Sequence, residues 1–304
     1  LRDSGYVLVI AEKPRAADKI AAALNLSGKR VVNGVRVWEG FFEGRRFLVA
    51  PAVGHLFSLD TEERGFPVFT YRWVPRWLVE RRSRHARKYF EVLKSLARGA
   101  SEYVNACDYD IEGSVIGYLI IKHFGDLSRS RRAKFSSLTK EELVSAFRNL
   151  QPLDLRMVEA GLCRHEVDWI WGINVSRALM SFYKKVFGGF KILSAGRVQT
   201  PVLGKIIELT LAKIRTLRKS KVVKVGALTF EIPEEEIEKY NLKKVKQKHI
   251  DIVFKPVKSY TDSLYPPPPF TTDEMLLEAQ RVLLISSVEA MRIAQELFEL
   301  GFIT

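Results

Sequence analysis

A chain of 304 residues exceeds one comfortable core and points to two or more domains. With 47% apolar and 11% aromatic residues most of it should fold, yet no apolar run is long enough to span a membrane. Its 49 Lys and Arg against 35 Asp and Glu give a formal net charge of +14, which favours a polyanionic partner and says nothing about fold. The two cysteines, Cys107 and Cys163, match no zinc spacing and imply no disulfide framework, and no secretory signal is visible.

Tyr6 to Ala11 is a continuous apolar run suited to a buried parallel strand. Glu12, Lys13 and Pro14 form a charged turn, and a helix follows from Arg15 with Ala17, Ile20, Ala21 and Leu24 on one side. Active sites of open parallel sheets lie at such strand ends. The motif G-x-G-x-x-G is absent, which excludes the common dinucleotide site. Val35–Trp38 and Arg46–Ala50 read as strands around Glu43-Gly44. His55, in the Gly54-His55-Leu56 turn, is either a site residue or a loop anchor. Residues 61–76 read as an irregular excursion. Arg72, Arg76, Arg81, Arg82, Arg84, Arg87 and Lys88, interleaved with Tyr71, Trp73 and Trp77, suit backbone phosphates and stacked bases, and equally a solvated helix face.

A helix from His85 to Leu96 leads to the strand Tyr103–Ala106 and then to Asp108, Asp110 and Glu112. Residues two apart in an extended strand end point the same way, so three carboxylates converge at a sheet edge. A hard divalent cation, Mg2+ first among them, offsets their repulsion, and Glu12 can join them. An acidic cluster in a basic protein suggests phosphate chemistry on a nucleic acid. Helices are expected over Val115–Phe124, over Lys140–Leu150 with Thr139 and Glu142 as a capping box, and over Asp154–Lys185. A further basic run, Arg129, Arg131, Arg132 and Lys134, precedes Phe135. Gly188 and Gly189 end the long helix, and another runs from Val202 to Ile214. Short strands such as Gly226–Ile232 and Ile250–Phe254 occupy a Lys-rich stretch. Pro266–Pro269 is a stiff connector, followed by helices from Phe270-Thr-Thr-Asp273 and from Ser287, the second closed by Gly301.

Four segments together resemble type IA DNA topoisomerases. Val9–Pro14 and Asp108–Gly113 resemble the family's toprim domain. Leu193–Pro201, reading L-S-A-G-R-V-Q-T-P, and the stretch from Pro268-Pro-Phe-Thr-Thr to Gly301-Phe-Ile-Thr304 resemble the rest. The resemblance covers essentially the whole chain, is weakest over residues 214–259, and leans towards archaeal topoisomerase I or III. It implies an α/β toprim domain with a mostly parallel sheet at 1–150, then a helical DNA-groove domain beginning at 151–214. A first arm of a β-rich arch at 215–265 and the start of the nucleophile-bearing domain at 266–304 would follow, all part of a toroidal multidomain enzyme.

The resemblance also implies a reaction: ATP-independent relaxation of negatively supercoiled DNA through a transient 5′-phosphotyrosine. The tyrosine is expected immediately after Thr304. Lys13 and Arg197 would stabilise phosphoryl charge, and Glu12 would protonate the leaving 3′ oxygen. Asp108, Asp110 and Glu112 would hold Mg2+. His55, Arg164, Asp168, Arg197 and Gln199 would contact DNA. The implied partner is single-stranded or underwound DNA, the protein a monomer, and its location the cytoplasm and nucleoid. Two other readings stay open: a toprim-containing primase or nuclease, and a non-catalytic basic DNA-binding module.

Overall fold

The computed structural model describes residues 5–215, 220–225, 228–239, 261–263 and 265–303. The backbone divides into two compact units, one of Leu1–Gly196 with Phe270–Thr304 and one of Arg197–Pro269. The first unit begins with β1 (Tyr6–Ala11), α1 (Pro14–Ala23), β2 (Gly28–Val32), β3 (Val35–Phe42) and β4 (Arg45–Pro51). Then come β5 (Phe57–Asp60), β6 (Arg72–Pro75), the single turn α2 (Arg76–Val79), α3 (Ala86–Ala97) and β7 (Ala100–Ala106). They are followed by α4 (Ile111–Phe124), β8 (Ser130–Arg132), α5 (Lys140–Arg148) and α6 (Leu155–Phe187). The second unit contains α7 (Gln199–Arg215), β9 (Ser220–Val225), β10 (Leu228–Pro233) and α8 (Glu234–Lys239). The chain returns to the first unit with α9 (Thr272–Leu283) and α10 (Ser287–Leu300).

The sheet of the first unit is six-stranded, in the order β2-β3-β4-β1-β7-β8. The pairs β4–β1, β1–β7 and β7–β8 are parallel, and β2–β3–β4 is an antiparallel meander. β1 is apolar on both faces because both faces are covered. Val7, Val9 and Ala11 pack with residues of α1 and α5, while Leu8 and Ile10 pack with residues of α3 and α4. The result is a three-layer α/β/α sandwich with a mostly parallel sheet, as expected.

Several local expectations need correction. β2 was not foreseen, although Asn33-Gly34 marks its hairpin: φ is 48° at Asn33 and 74° at Gly34, as a type I′ turn requires. Residues 61–76 are not wholly irregular, since β6 pairs antiparallel with β5. The intervening loop is tied to α6: the Asn174 side-chain amide takes the Val68 N–H at 2.6 Å and donates to the Val68 carbonyl at 2.7 Å. Arg177 Nη1 donates to the carbonyls of Glu63 and Gly65 at 3.0 and 2.8 Å. α4 starts at Ile111, four residues before the expected Val115. α7 starts at Gln199 rather than Val202, with Pro201 tolerated in its first turn. β10 covers most of the expected Gly226–Ile232 strand, while Gly226 itself and all of Ile250–Phe254 lie outside the described residues.

Thr139 is the N-cap of α5, but its side chain makes no capping bond. Glu142 reaches past it to Ser136 and Ser137, accepting Ser136 Oγ–H at 2.8 Å and a Ser137 Oγ–H. The true capping box is in α9, where Thr271 and Glu274 bond reciprocally.

Two predictions follow from this packing. Gly117 on α4 faces Asn105, and a Cβ there would lie 2.1 Å from Asn105 Cγ. Gly117→Ala should cost at least about 1–3 kcal/mol, read as a lowered denaturation midpoint at constant slope. Glu142 is partly buried, which raises its pKa, but bonds from Ser137 and Ser136 outweigh this and hold it below its ordinary value. A depressed folded value contributes stability that is present above the unfolded pKa of about 4.3 and lost as pH falls through the folded value. The stability gap between the wild type and Glu142→Gln should therefore shrink as pH is lowered below about 4 in a urea-midpoint series.

Candidate active site

Ala11 of β1 is in register with Pro51 of β4 and with Ala106 of β7. Three loops therefore leave the sheet side by side, where the chain order switches direction about β1. The Ala52 N–H donates to the Ala11 carbonyl at 2.7 Å and the Gly54 N–H to the Glu12 carbonyl at 3.2 Å. These bonds stitch the loop of His55 to Glu12. On the other side, residues 107–110 leave β7 next to Glu12.

That last loop is shaped from below by Arg132, a fully enclosed cation at the end of β8. Its Nη1 donates to the Asn105 carbonyl and Oδ1, each at 3.0 Å, and to the Cys107 carbonyl at 2.9 Å. Its Nη2 donates to the Asp108 carbonyl at 2.7 Å. Burial pulls the Arg132 pKa below the usual guanidinium value. The buried Asn105 side chain completes the turn, accepting the Cys107 N–H at 3.0 Å and donating to the Gly113 carbonyl at 3.2 Å. Asp110 caps α4, its Oδ1 accepting the Gly113 N–H at 2.6 Å.

Glu12, Lys13 and Asp108 come together above this turn. Lys13 Nζ lies 3.3 Å from Glu12 Oε1 and 3.8 Å from Asp108 Oδ2. Burial pushes Glu12 above the ordinary carboxylate range, and the charge of Asp108 adds to the rise against the opposing pull of Lys13. Asp108 is raised by burial too, lowered by Lys13 and raised by Asp110. Burial lowers the Lys13 pKa, but Glu12 and Asp108 outweigh it, so the ammonium is held charged. Asp108 and Asp110 line one cavity with Phe135, Ser136, Gln295 and Phe298, the last two from α10.

Glu112 does not share this arrangement. Its Oε2 accepts from His55 Nε2 at 2.8 Å and from His165 Nε2 at 2.9 Å, while Arg164 Nη1 stands 3.5 Å from Oε1. The expectation of three carboxylates aligned along a strand end is corrected here. β7 stops at Ala106 and Glu112 already belongs to the first turn of α4, so helical rotation takes it away from Asp108. Partial burial raises the Glu112 pKa, but the hydrogen bonds of His165 and His55 outweigh it and the net shift is downward. His55 is itself held below the usual imidazole value, chiefly by burial.

The family comparisons bear on this site directly. A toprim-domain family model matches residues 7–138, and a DNA topoisomerase family model matches residues 152–304. The chain belongs to the type IA DNA topoisomerases. It is 40% identical to the DNA topoisomerase 1 of Aeropyrum pernix over 95% of this chain and 45% of that protein. To the DNA topoisomerase 1 of Pyrococcus horikoshii it is 38% identical over 97% of this chain and 46% of that one. The chain thus spans a little less than half the length of these curated relatives. The full-length topoisomerase I of Thermotoga maritima shares the fold with a TM-score of 0.61 at 24% identity, over 96% of this chain and 46% of that one.

Of the other expected site residues, Arg164 lies on α6 beside Glu112, and Asp168 lines a cavity with His55, His165, Trp73 and Trp169. Arg197 and Gln199 belong to the second unit, where Gln199 opens α7. Sequence reasoning missed His165 and Arg132. A histidine next to Arg164 on the same helix was the available signal for the first. Nothing in a run of basic residues separates a buried arginine from its solvated neighbours.

Arg132→Met should preserve side-chain volume while leaving the Cys107 carbonyl without its donor and the carbonyls of Asn105 and Asp108 with their backbone donors alone. The expected loss is about 2–4 kcal/mol, measured by chemical denaturation, with a rise in hydrogen exchange confined first to residues 105–113.

Proposed function

We propose that this chain supplies the metal-binding and phosphate-binding part of an enzyme that relaxes negatively supercoiled DNA. The reaction is strand cleavage and religation through a 5′-phosphotyrosine without ATP. The carrying observation is the meeting of Glu12, Lys13 and Asp108 at the ends of two parallel strands, in a chain of this family. Lys13, kept cationic by two carboxylates, donates to the non-bridging oxygens of the scissile phosphate. Glu12, with its raised pKa, carries a proton to the leaving 3′ oxygen and takes it back for religation.

Asp108 and Asp110 offer hard oxygen donors in one cavity, where burial, with a smaller push from Asp110, raises the Asp108 pKa. Such a donor set fits Mg2+. When bound, Mg2+ neutralises phosphate charge and seats the cleaved end. Asp168 and His55, which line one cavity, and Arg164, beside Glu112, are proposed to contact single-stranded DNA, as are Arg197 and Gln199 on the strength of their motif. In this reading residues 1–150 are the toprim domain and 151–214 the start of the groove-bearing domain. Residues 215–265 are an arch arm, and 266–304 lead to the nucleophilic tyrosine expected next after Thr304. The protein would act as a monomer in a torus-shaped enzyme of the nucleoid.

Plasmid relaxation by the longer protein tests this reading. Negatively supercoiled DNA should relax with Mg2+ and no ATP, and stop on addition of a chelator. Denaturant trapping should leave protein on a 5′ end. Glu12→Gln should slow relaxation by about 10²–10⁴-fold with oligonucleotide binding retained. Free, unattached 5′ ends among the cleavage products would instead indicate a nuclease.

A further inference from the structure

The cavity that holds Asp108 and Asp110 is also aromatic, for Tyr109, Phe135 and Phe298 line it with them, as does Gln295. Phe135 is 4% exposed, and Phe298 of α10 packs against the core of Ala17, Ile20 and Leu143, so core packing sets both rings. Tyr109 is half-buried and lies between two residues whose places are fixed. Arg132 Nη2 holds the Asp108 carbonyl at 2.7 Å, and Asp110 caps α4 through the Gly113 N–H at 2.6 Å. The guanidinium carbon of Arg132 is 5.4 Å from the centroid of the Tyr109 ring, and Lys134 Nζ is 4.6 Å from it. Cations attracted by the ring's quadrupole hold it in place. The ring is thus ordered before a ligand arrives, which lowers the entropic cost of stacking on it. The strand-cleavage chemistry above gives this ring no task. Gln295 is ordered as well: its Nε2 donates to Glu299 Oε1 at 3.2 Å, and Arg15 Nη1 donates to Glu299 Oε2 at 2.7 Å. The amide's orientation is thereby settled, and its oxygen remains for a ligand.

We propose that this cavity is a nucleoside subsite, in which one base of the DNA strand stacks on Tyr109 while its own phosphate meets the carboxylate pocket. The subsite rests on the strand-cleavage reading, which supplies the phosphate. Two carboxylates with a hard cation serve a phosphate, whereas three aromatic rings offer flat apolar surface that a phosphate does not use. A ligand that uses both has a phosphate at one end and a planar ring at the other, as a nucleotide does. At about 350 Å3 the cavity is near the lower bound of small-ligand pockets, about 300–1,000 Å3, which suits one nucleoside rather than a stack of bases. Every base has a π-face, so all four are accepted with little preference. The Gln295 oxygen accepts from an exocyclic amine or a sugar hydroxyl. Lys134, exposed beside the Tyr109 ring, adds positive charge for a neighbouring phosphate.

Binding of 2-aminopurine deoxyriboside 5′-monophosphate to the whole chain with Mg2+ tests it, because stacking quenches the fluorescence of that base. The quench should appear on binding, and thymidine or deoxycytidine 5′-monophosphate should reverse it by competition. Deoxyribose 5-phosphate, which has no base, should compete about 5–150-fold more weakly, the range that one base–aromatic stack contributes. Tyr109→Leu should abolish the quench and weaken nucleotide binding by a factor in that range. The same variant should bind deoxyribose 5-phosphate as the wild type does in a phosphorus NMR titration, whereas a disturbed loop between Asp108 and Asp110 would change both ligands alike. Tyr109→Phe keeps the ring and should keep the quench and the affinity. Deoxyribose 5-phosphate competing as well as the nucleotides, or a quench that survives Tyr109→Leu, would overturn the subsite and leave the strand-cleavage reading standing. Equal loss of both ligands in Tyr109→Leu would also overturn it, since the ring would then be a support of the loop. Failure of either ligand to bind with Mg2+ present would overturn the subsite and the phosphate-binding reading together.

Discussion

The buried guanidinium of Arg132 is the constraint on which the candidate site depends. Three backbone carbonyls at the end of β7 turn inward; the Ala133 N–H reaches that of Asn105 and the Asp110 N–H that of Asp108, at 3.0 and 2.9 Å, while that of Cys107 depends on a side chain. Arg132 supplies donors to all three from a single planar group, with Asn105 closing the remaining gap. A charge buried this deeply is costly in isolation, and the carbonyl dipoles arrayed around it offset that cost. The geometry that holds Asp108 next to Glu12 is therefore set from beneath the sheet edge rather than by the acidic residues themselves.

Above that turn, two electrostatic environments sit close together with opposite logic. Around Lys13, carboxylates are crowded and partly desolvated, so their protonated forms gain ground. Around Glu112, two imidazoles and an arginine stabilise the ionised carboxylate. The boundary between the two is the start of α4. Asp110 spends its side chain on capping that helix, and two residues later the helical twist has already redirected Glu112. Acidic residues at alternate positions thus end in different surroundings because the backbone changes period between them.

The sheet was largely legible in the sequence, because its strands are continuous apolar runs and its turns carry Gly, Asn or Pro. β1, α1, β7, α10 and the caps at Gly188 and Gly301 follow from local chemistry alone. What escaped was the onset of elements with weak start signals. Ile111 looks like the tail of a strand until one sees Asp110 acting as a cap. Glu142 satisfies a capping pattern yet bonds to serines outside it. The meeting of Glu12 with Asp108 was accessible only as a topological inference, since it depends on β1 and β7 being neighbours. The pairing of Glu112 with His165 was not accessible, because it depends on where α6 crosses α4.

The crossing has a mechanical consequence. α6 is 33 residues long, which corresponds to a rod of about 50 Å. It is fastened near one end where Gly161 lets it press against Val115 and Ile111 of α4, and a turn later where His165 reaches Glu112. The next fastening is at Asn174 and Arg177, which grip the 63–68 loop. Gly161 and Arg177 are about 24 Å apart along the axis. A beam fixed at two separated supports resists pivoting and passes a load along its length instead. Tension applied beyond Arg177 would thus be felt as shear at the first turn of α4, on the same few residues that cap the helix and orient Glu112.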